Sequence, residues 1–448
     1  MLGIIILLIS LVLYFKPKHR YLSYFIYIGF MTGYSGGYGL LTDGIIGIKN
    51  MDLAIIYSFI INFYLLSSGR LQLPRMKFII PLKVFIVFLL CSIIFSFIYY
   101  QFTPYQILQG GRKYLLIFCI PILLRIKPEE IFKILRIWIS LVLFTSILYI
   151  LQILTGQLIL PYVGEGSIDS STGLLRVYNM PFGLPFFLSL TFLAPQYFKY
   201  NINIYKAVFF TAIMCTLGRT GIFTSILTVF LAILLVKGAS KLIRYILLLA
   251  ILFIPFIGTL SNRFDEGGTG NDMQQLMSGR FDDRYESQGD ATMTYRLAWL
   301  YERTSYLINQ PLGEQIFGMG MISDSQPLTH KLYNFKLGLF NEETGRIEQL
   351  NTPDISYGNF VCQLGFVGTV IYLWLVISLT IFFYKQRKID PILSICTAVL
   401  LLLFVVGFAS SGLSNINTFS YLFAFIPLYK LKNNQKVYES NTYRVGLR

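Results

Sequence analysis

Charge is scarce in this chain. Of its 448 residues, 13% are Asp, Glu, Lys or Arg, about half the share typical of a soluble domain, roughly 25%. That shortage excludes an ordinary water-soluble globule. Histidine is nearly absent, with His19 and His330 alone. The five cysteines (Cys91, Cys119, Cys215, Cys362, Cys396) fall in apolar runs and show no CxxC spacing. Neither a zinc site nor a disulfide framework is expected from them. There is no nucleotide-binding loop. The polar segments also lack an Asp-x-Asp metal pair, since Asp282 and Asp283 are adjacent rather than spaced. The chemistry is therefore expected to use no cofactor and no metal.

What the chain does have is apolar length. It is 55% hydrophobic and 16% aromatic, with a mean hydropathy of +0.63. Runs of about 20 apolar residues recur, each the length of a bilayer crossing. The expected fold class is an all-α polytopic integral membrane protein of about 12–13 transmembrane helices. The spans fall at roughly 1–15, 21–46, 52–67, 79–99, 105–124, 131–154, 181–196, 204–218, 220–236, 243–260, 355–384, 391–411 and 414–430. The first run, MLGIIILLISLVLYF, lacks a basic segment and a small-residue cleavage site. It is expected to be a span rather than a cleaved signal.

Basic residues orient these spans. Lys16/Lys18/Arg20, Arg70/Arg75/Lys77, Arg125/Lys127/Lys133, Lys199/Lys206, Lys237/Lys241/Arg244 and Lys385/Arg387/Lys388 occupy alternate loops. The positive-inside rule puts them in the cytoplasm together with the tail after Lys430, and puts the amino terminus outside. The net charge of +15 is then loop charge, and no nucleic-acid partner is expected. The long polar segment from 261 to 354 differs in sign, holding 14 of the 22 acidic residues and 8 of the 37 basic ones. It is expected outside. The organisation that follows is a bundle over 1–260, a large external loop with short helices over 261–354, three terminal spans over 355–430, and a cytoplasmic tail over 431–448.

Within that frame a few polar residues stand out. Arg219, in CTLGRTGIFTSIL, lies between two short spans at the external interface. It either snorkels to headgroups or grips a phosphate with its fixed fork of donors. Arg112 and Lys113, in QILQGGRKYLLIF, either sit toward the external end of a span, where a charge tends to face a cavity or a partner, or precede a shorter span that starts at Tyr114. A second external loop over about 155–180 contributes Arg176. From Ala291 to Asn309 the pattern turns helical, with Leu297, Leu300, Tyr301 and Leu307 on the periodic positions. Arg296 and Arg303 lie seven residues apart and so share a face. Asp354 follows Pro353 at the start of a span, either as a helix cap or as a general base at the membrane surface. His330 lies in the middle of the long loop, and His19 belongs to a basic turn.

Three stretches, in this order, resemble the O-antigen ligase/polymerase superfamily of bacterial membrane glycosyltransferases. LGRTGIFTSIL is similar to its Ser-Arg-Thr-Gly turn, with Gly218 in place of the serine. RLAWLYERTSYLINQPLGEQIFGMG is similar to its helix that opens on Arg, carries a Trp one turn later and runs into a Pro-Leu-x-Gly-x-Gly turn. Here Glu314 follows Gly313, and Gly318-Met319-Gly320 comes later. PDISYGNFVCQLGFVGTVIYL is similar to its His-Asn-x2-Leu…Gly-x2-Gly segment, with Gly365 and Gly368 at the glycine positions. Counting back eleven from Gly365, the usual histidine falls on Asp354, and Ile355 replaces the asparagine. An acid at that place suits a repeat-unit (Wzy-type) polymerase better than a ligase.

The resemblance implies a lipid-pyrophosphate-dependent glycosyltransferase. It would polymerise undecaprenyl-pyrophosphate-linked repeat units into O-antigen, capsule or exopolysaccharide at the outer face of the bacterial cytoplasmic membrane. Arg219, Arg296, Arg176 and Arg303 would hold the pyrophosphate, and Asp354 would be the base of an inverting reaction. Arg112 and His330 are further candidates. Implied partners are the lipid-linked glycan donor and acceptor, the bilayer, and a chain-length regulator protein. A ligase acting on another acceptor and a polysaccharide flippase stay open as alternatives.

Overall fold

The computed structural model describes residues 2–33, 49–159, 166–168, 173–177, 180–216, 218–239, 293–338, 340–341, 345–352 and 355–431. Among them the chain is mostly helical. Helices α1 (Leu2–Tyr14), α2 (Arg20–Thr32), α3 (Asn50–Ser67) and α4 (Ile79–Ile98) come first. They are followed by α5 (Pro104–Leu115), α6 (Ile120–Leu123), α7 (Pro128–Thr155), α8 (Leu184–Leu193), α9 (Ile202–Met214) and α10 (Arg219–Lys237). The polar segment supplies α11 (Met293–Ile308), α12 (Leu312–Phe317) and α13 (Thr329–Leu332). The chain closes with α14 (Ser356–Gln386), α15 (Pro391–Val406), α16 (Ile416–Phe419) and a 3-10 helix, Ser420–Lys430. Two short antiparallel ladders interrupt the helical pattern, β1 (Gly166–Ile168) with β2 (Leu175–Val177) and β3 (Phe340–Asn341) with β4 (Arg346–Ile347).

Four of these helices, α3, α4, α7 and α14, are long and apolar enough to cross a membrane, and five shorter apolar helices accompany them. This is the make-up of a multi-pass helical membrane protein. The exposed residues of α14 say which side would meet lipid: Val367, Val370, Trp374, Ile377 and Ile381 recur every three or four positions, a single stripe on a 3.6-residue helix. Packing between helices uses hydroxyls as well as apolar side chains. Ser23 bonds Tyr57 at 2.7 Å and Tyr27 bonds Ser58 at 2.5 Å, joining α2 to α3. In an apolar medium such bonds and close van der Waals contact drive association.

Two expected spans are not continuous α-helices. The run at 105–124 is α5, a 3-10 stretch Leu116–Cys119, and α6. Pro121 lies just beyond the 3-10 stretch; its ring clashes with the carbonyl four residues earlier, on Ile117, and it donates no amide. The run at 414–430 is α16 followed by eleven residues of 3-10 helix that contain Pro427. The expected spans at 21–46 and 243–260 fall partly and wholly outside the described residues, as does the tail after 431.

Contacts between helix ends sort the loops into two groups. Arg125 donates to the Arg70 carbonyl at 2.7 Å, and Lys430 to the Leu124 carbonyl at 3.0 Å. Phe132 stacks on Tyr197, whose hydroxyl donates to Asp390 at 2.7 Å. Lys237 donates to the Phe192 carbonyl at 3.0 Å. The basic loops thus gather at one end of the bundle. The polar segment caps the opposite ends of α4, α5 and α14, and the start of α14 meets the end of α15. Tyr99 donates to Glu314 at 3.0 Å, the Met321 amide donates to Ser96 at 3.0 Å, and the Ser356 amide to the Gly407 carbonyl at 2.7 Å.

Candidate functional site

The polar segment is seated on a break in α14. Gly365 interrupts that helix with φ +64°, ψ −172°. The carbonyl of Cys362, just before the break, accepts the Met319 amide at 2.6 Å. Gly318, at φ +78°, comes so close that a Cβ there would lie 2.5 Å from the Cys362 oxygen; a Cβ on Gly365 would lie 2.5 Å from the Gly318 nitrogen. Both positions need glycine for the positive φ and for the approach of two backbones. α5 is held the same way, because a Cβ on Gly110 would lie 2.5 Å from the Ile322 nitrogen.

These seats border an open polar cavity of about 350 Å³. Its wall is rich in amides: Gln109 from α5, Asn351 from the polar segment, Asn359 and Gln363 from α14, and Asn415 and Asn417 at the start of α16. Asn359 and Gln363 are four residues apart, so the helix presents them together. Gln363 accepts from Tyr114 at 3.1 Å, and Asn359 both accepts from the Thr352 amide at 2.9 Å and donates to its carbonyl at 2.8 Å. Arg112 and Lys113 also line the cavity. Arg112 pairs with Asp52 at 3.6 Å. Lys113 donates to the Asn351 side-chain oxygen at 3.3 Å. Asn351 in turn donates to Asp324 at 3.1 Å, so the amide links an ammonium to a carboxylate.

Asp324 shapes the wall. Its carboxylate accepts from the amides of Gln349, Leu350 and Asn351 at 2.7, 3.1 and 2.8 Å. Three successive amides aimed at one carboxylate fix that turn. Behind it, Arg303 is fully buried. Its guanidinium lies over Phe335 at 4.0 Å and Trp299 at 4.6 Å. It donates to the Gln349 carbonyl at 3.0 Å, and to Glu302 and the Leu337 carbonyl. Burial makes the guanidinium less basic than an ordinary arginine, and Glu302 opposes that shift. Glu302 also accepts the Lys336 amide at 2.9 Å and the Leu337 amide at 3.1 Å.

The residues picked out from the sequence are placed unevenly. Arg112 lines the cavity. Arg303, expected among the pyrophosphate ligands, spends its donors inside the fold instead, because a surface of Trp299, Phe335 and two carbonyls closes around it. Arg296, seven residues earlier on α11, is half-buried. Arg219 is the first residue of α10, and Arg176 pairs with Ser167 in the β1–β2 ladder; their side chains lie outside what the structure describes. Asp354 also lies outside the described residues, though Thr352, two positions earlier, lines the cavity. His330 donates from Nε2 to the Asp324 carbonyl at 3.2 Å, a contact within the polar segment.

The amides were the residues missed. Their signal was present, since Asn359 and Gln363 are uncharged polar residues at a four-residue interval inside an apolar run. Among the described residues no three His, Cys, Asp or Glu side chains converge as a metal site. No protein-family model matches the chain, and no curated protein sequence matches it.

Proposed function

We propose that the chain is a membrane glycosyltransferase that polymerises undecaprenyl-pyrophosphate-linked oligosaccharide repeat units at the outer face of a bacterial cytoplasmic membrane. The observation that carries this reading is the amide-lined cavity under the polar segment, at the end of the bundle away from the basic loops. Asn359, Gln363 and Asn351 are held by protein partners, which leaves the second lone pairs of their oxygens for sugar hydroxyls and the remaining donors of Lys113 for a sugar oxygen. A flippase reading has less support, because the cavity lies at one end of the bundle rather than near its middle.

In this proposal the lipid-linked donor enters from the bilayer, and Arg219, Arg296 and Arg176 hold its pyrophosphate. An acceptor sugar in the cavity offers a hydroxyl. Its oxygen bonds to the anomeric carbon as the bond from that carbon to the pyrophosphate oxygen breaks. The hydroxyl proton passes to Asp354, and the pyrophosphate leaves on its lipid with its charge stabilised by the arginines. Attack opposite the leaving group inverts the centre.

The purified chain in lipid nanodiscs, given lipid-linked repeat units as sole substrate, is expected to yield a ladder of products. Asp354→Asn and Arg219→Ala are expected to abolish it without loss of membrane insertion. A ladder formed at wild-type rate by Asp354→Asn protein removes the base assignment. Release of lipid pyrophosphate without a ladder moves the reading to a ligase with another acceptor.

A further inference from the structure

α11 is amphipathic in the reverse sense to a helix bathed in water. At 100° per residue, Leu297, Tyr301, Thr304 and Ile308 fall within one narrow sector. Leu297 is 38%, Tyr301 75% and Ile308 58% exposed. The three charged residues of the helix, Arg296, Glu302 and Arg303, all lie off this sector, and Arg303 and Trp299 are fully buried on the other side. A water-exposed helix face ordinarily carries the charge. Here the exposed face has none.

The same surface continues onto a membrane-crossing helix. Leu312, at the start of α12, is 70% exposed. Its neighbour Gly313 is packed so tightly on Phe95 of α4 that a Cβ would lie 2.9 Å from the ring. Next to Phe95, α4 exposes Ile94 and Ile98, which belong to its apolar outer side, and Tyr99 just past its end is exposed as well. Ile308 is tied to the same corner, because Gln315 of α12 donates to its carbonyl at 3.0 Å.

We propose that α11 and the start of α12 lie in the bilayer interface, with Leu297, Tyr301, Ile308 and Leu312 inserted among lipids. Tyrosine suits that depth, with an apolar ring and a hydroxyl that reaches water. The occupant is lipid rather than the preceding chain on charge grounds, because residues 262–290 carry 10 charged side chains among 29 and would place ions on an uncharged face. A surface helix of this kind seats its apolar side about 5–10 Å into the headgroup boundary. The bilayer thereby sets the height of the polar segment above the cavity.

The test uses the full chain with Cys91→Ser, which removes the one exposed cysteine. Single cysteines are placed at Tyr301, Ile308 and Leu312, and at the exposed Lys331 as control. Each carries an environment-sensitive fluorophore, in nanodiscs of phosphatidylethanolamine and phosphatidylglycerol. Nitroxides on the lipid acyl chains are expected to quench the first three about threefold more than the control, with iodide quenching reversed. Iodide reaching Tyr301→Cys and Ile308→Cys as freely as the control overturns the proposal. So does protection from both quenchers, which would mean protein, either a second copy or the chain itself, covers the face. Should Tyr301→Cys misfold, Ile308→Cys and Leu312→Cys decide alone.

Discussion

Replacing Arg303 by Met tests whether that residue braces the fold or binds substrate. The side chain is fully buried, with donors on the Gln349 and Leu337 carbonyls and on Glu302. Breaking a buried ion pair costs about 3–5 kcal/mol. Glu302 keeps 25% of its side-chain surface and retains two backbone amides, so it is not left as a bare buried charge and its part falls to about 1 kcal/mol. The two carbonyls add about 1–2 kcal/mol each, the lower part of the range for a buried acceptor left without a donor. A total of about 3–5 kcal/mol is expected, most of it local to the polar segment. Hydrogen exchange reads such a local opening directly. With a tenfold change per 1.4 kcal/mol, the amides of Lys336, Leu337, Gln349 and Leu350 should exchange about a hundredfold to three-thousandfold faster. Arg303→Lys should recover less than half of the protection, because an ammonium cannot make the forked contact. Exchange within about twofold of wild type in Arg303→Met, combined with loss of activity, would refute the bracing argument and return Arg303 to the substrate.

Gly365→Ala should be more damaging than an ordinary glycine substitution. It sets a Cβ at φ +64° and 2.5 Å from the Gly318 nitrogen, for a loss of about 2–5 kcal/mol by thermal melting; an unchanged melting temperature would mean that the break in α14 is not needed. Under the proposed function, Lys113→Met should slow polymerisation about tenfold to a hundredfold, the worth of one charged hydrogen bond, with membrane insertion intact; undiminished turnover removes Lys113 from the proposed site. Asp390 is pushed above the ordinary carboxylate range by burial, with Tyr197 and the Ile392 amide opposing the shift. Its folded form therefore binds a proton more readily than its unfolded form, so this group adds stability as pH falls toward about 4 and loses it as pH rises through the raised value. Melting of Asp390→Asn should show a flatter pH profile, and an identical profile would contradict that reading.

The helices were legible because apolar length and its punctuation are local properties. Pro128 with Glu130 opens α7, Asp390 with Pro391 opens α15, and each start lies within a few residues of the sequence expectation. The helix at 293–308 was also legible, but its buried side was not. Hydrophobic spacing favoured Leu297, Leu300, Tyr301 and Leu307, whereas the structure buries Trp299, Arg303 and Leu307 and leaves Leu297 and Tyr301 exposed. Periodicity finds the apolar face and assumes that it points inward. In a chain that meets lipid the inward face can be the charged one. The amide cavity was illegible for a different reason. Gln109, Asn351, Asn359 and Asn415 come from four separate stretches, and only the Gly318–Gly365 and Gly110–Ile322 seats bring them together. The family resemblance marked Gly365 and Gly318 without saying what they press against, and Gly110 was not singled out.

The break at Gly365 also explains how one helix serves two environments. From Ser356 to Leu364, α14 has no exposed residue, and Tyr357 alone is half-buried. Asn359 and Gln363 can sit there because neighbouring protein supplies their hydrogen-bond partners. From Val367 onward one side opens to the exposed stripe that ends near Ile381. An uninterrupted helix would carry the Cys362 carbonyl into its own next turn, and Met319 would lose its acceptor. The polar segment would then have no seat at that level, and the amides would face either lipid or an unfilled space, at a cost of several kcal/mol for each unsatisfied group. The positive φ of Gly365 therefore separates a polar, enclosed half of α14 from a lipid-facing half. It lets a chain with 13% charged residues keep a hydrogen-bonding cavity beside an apolar solvent.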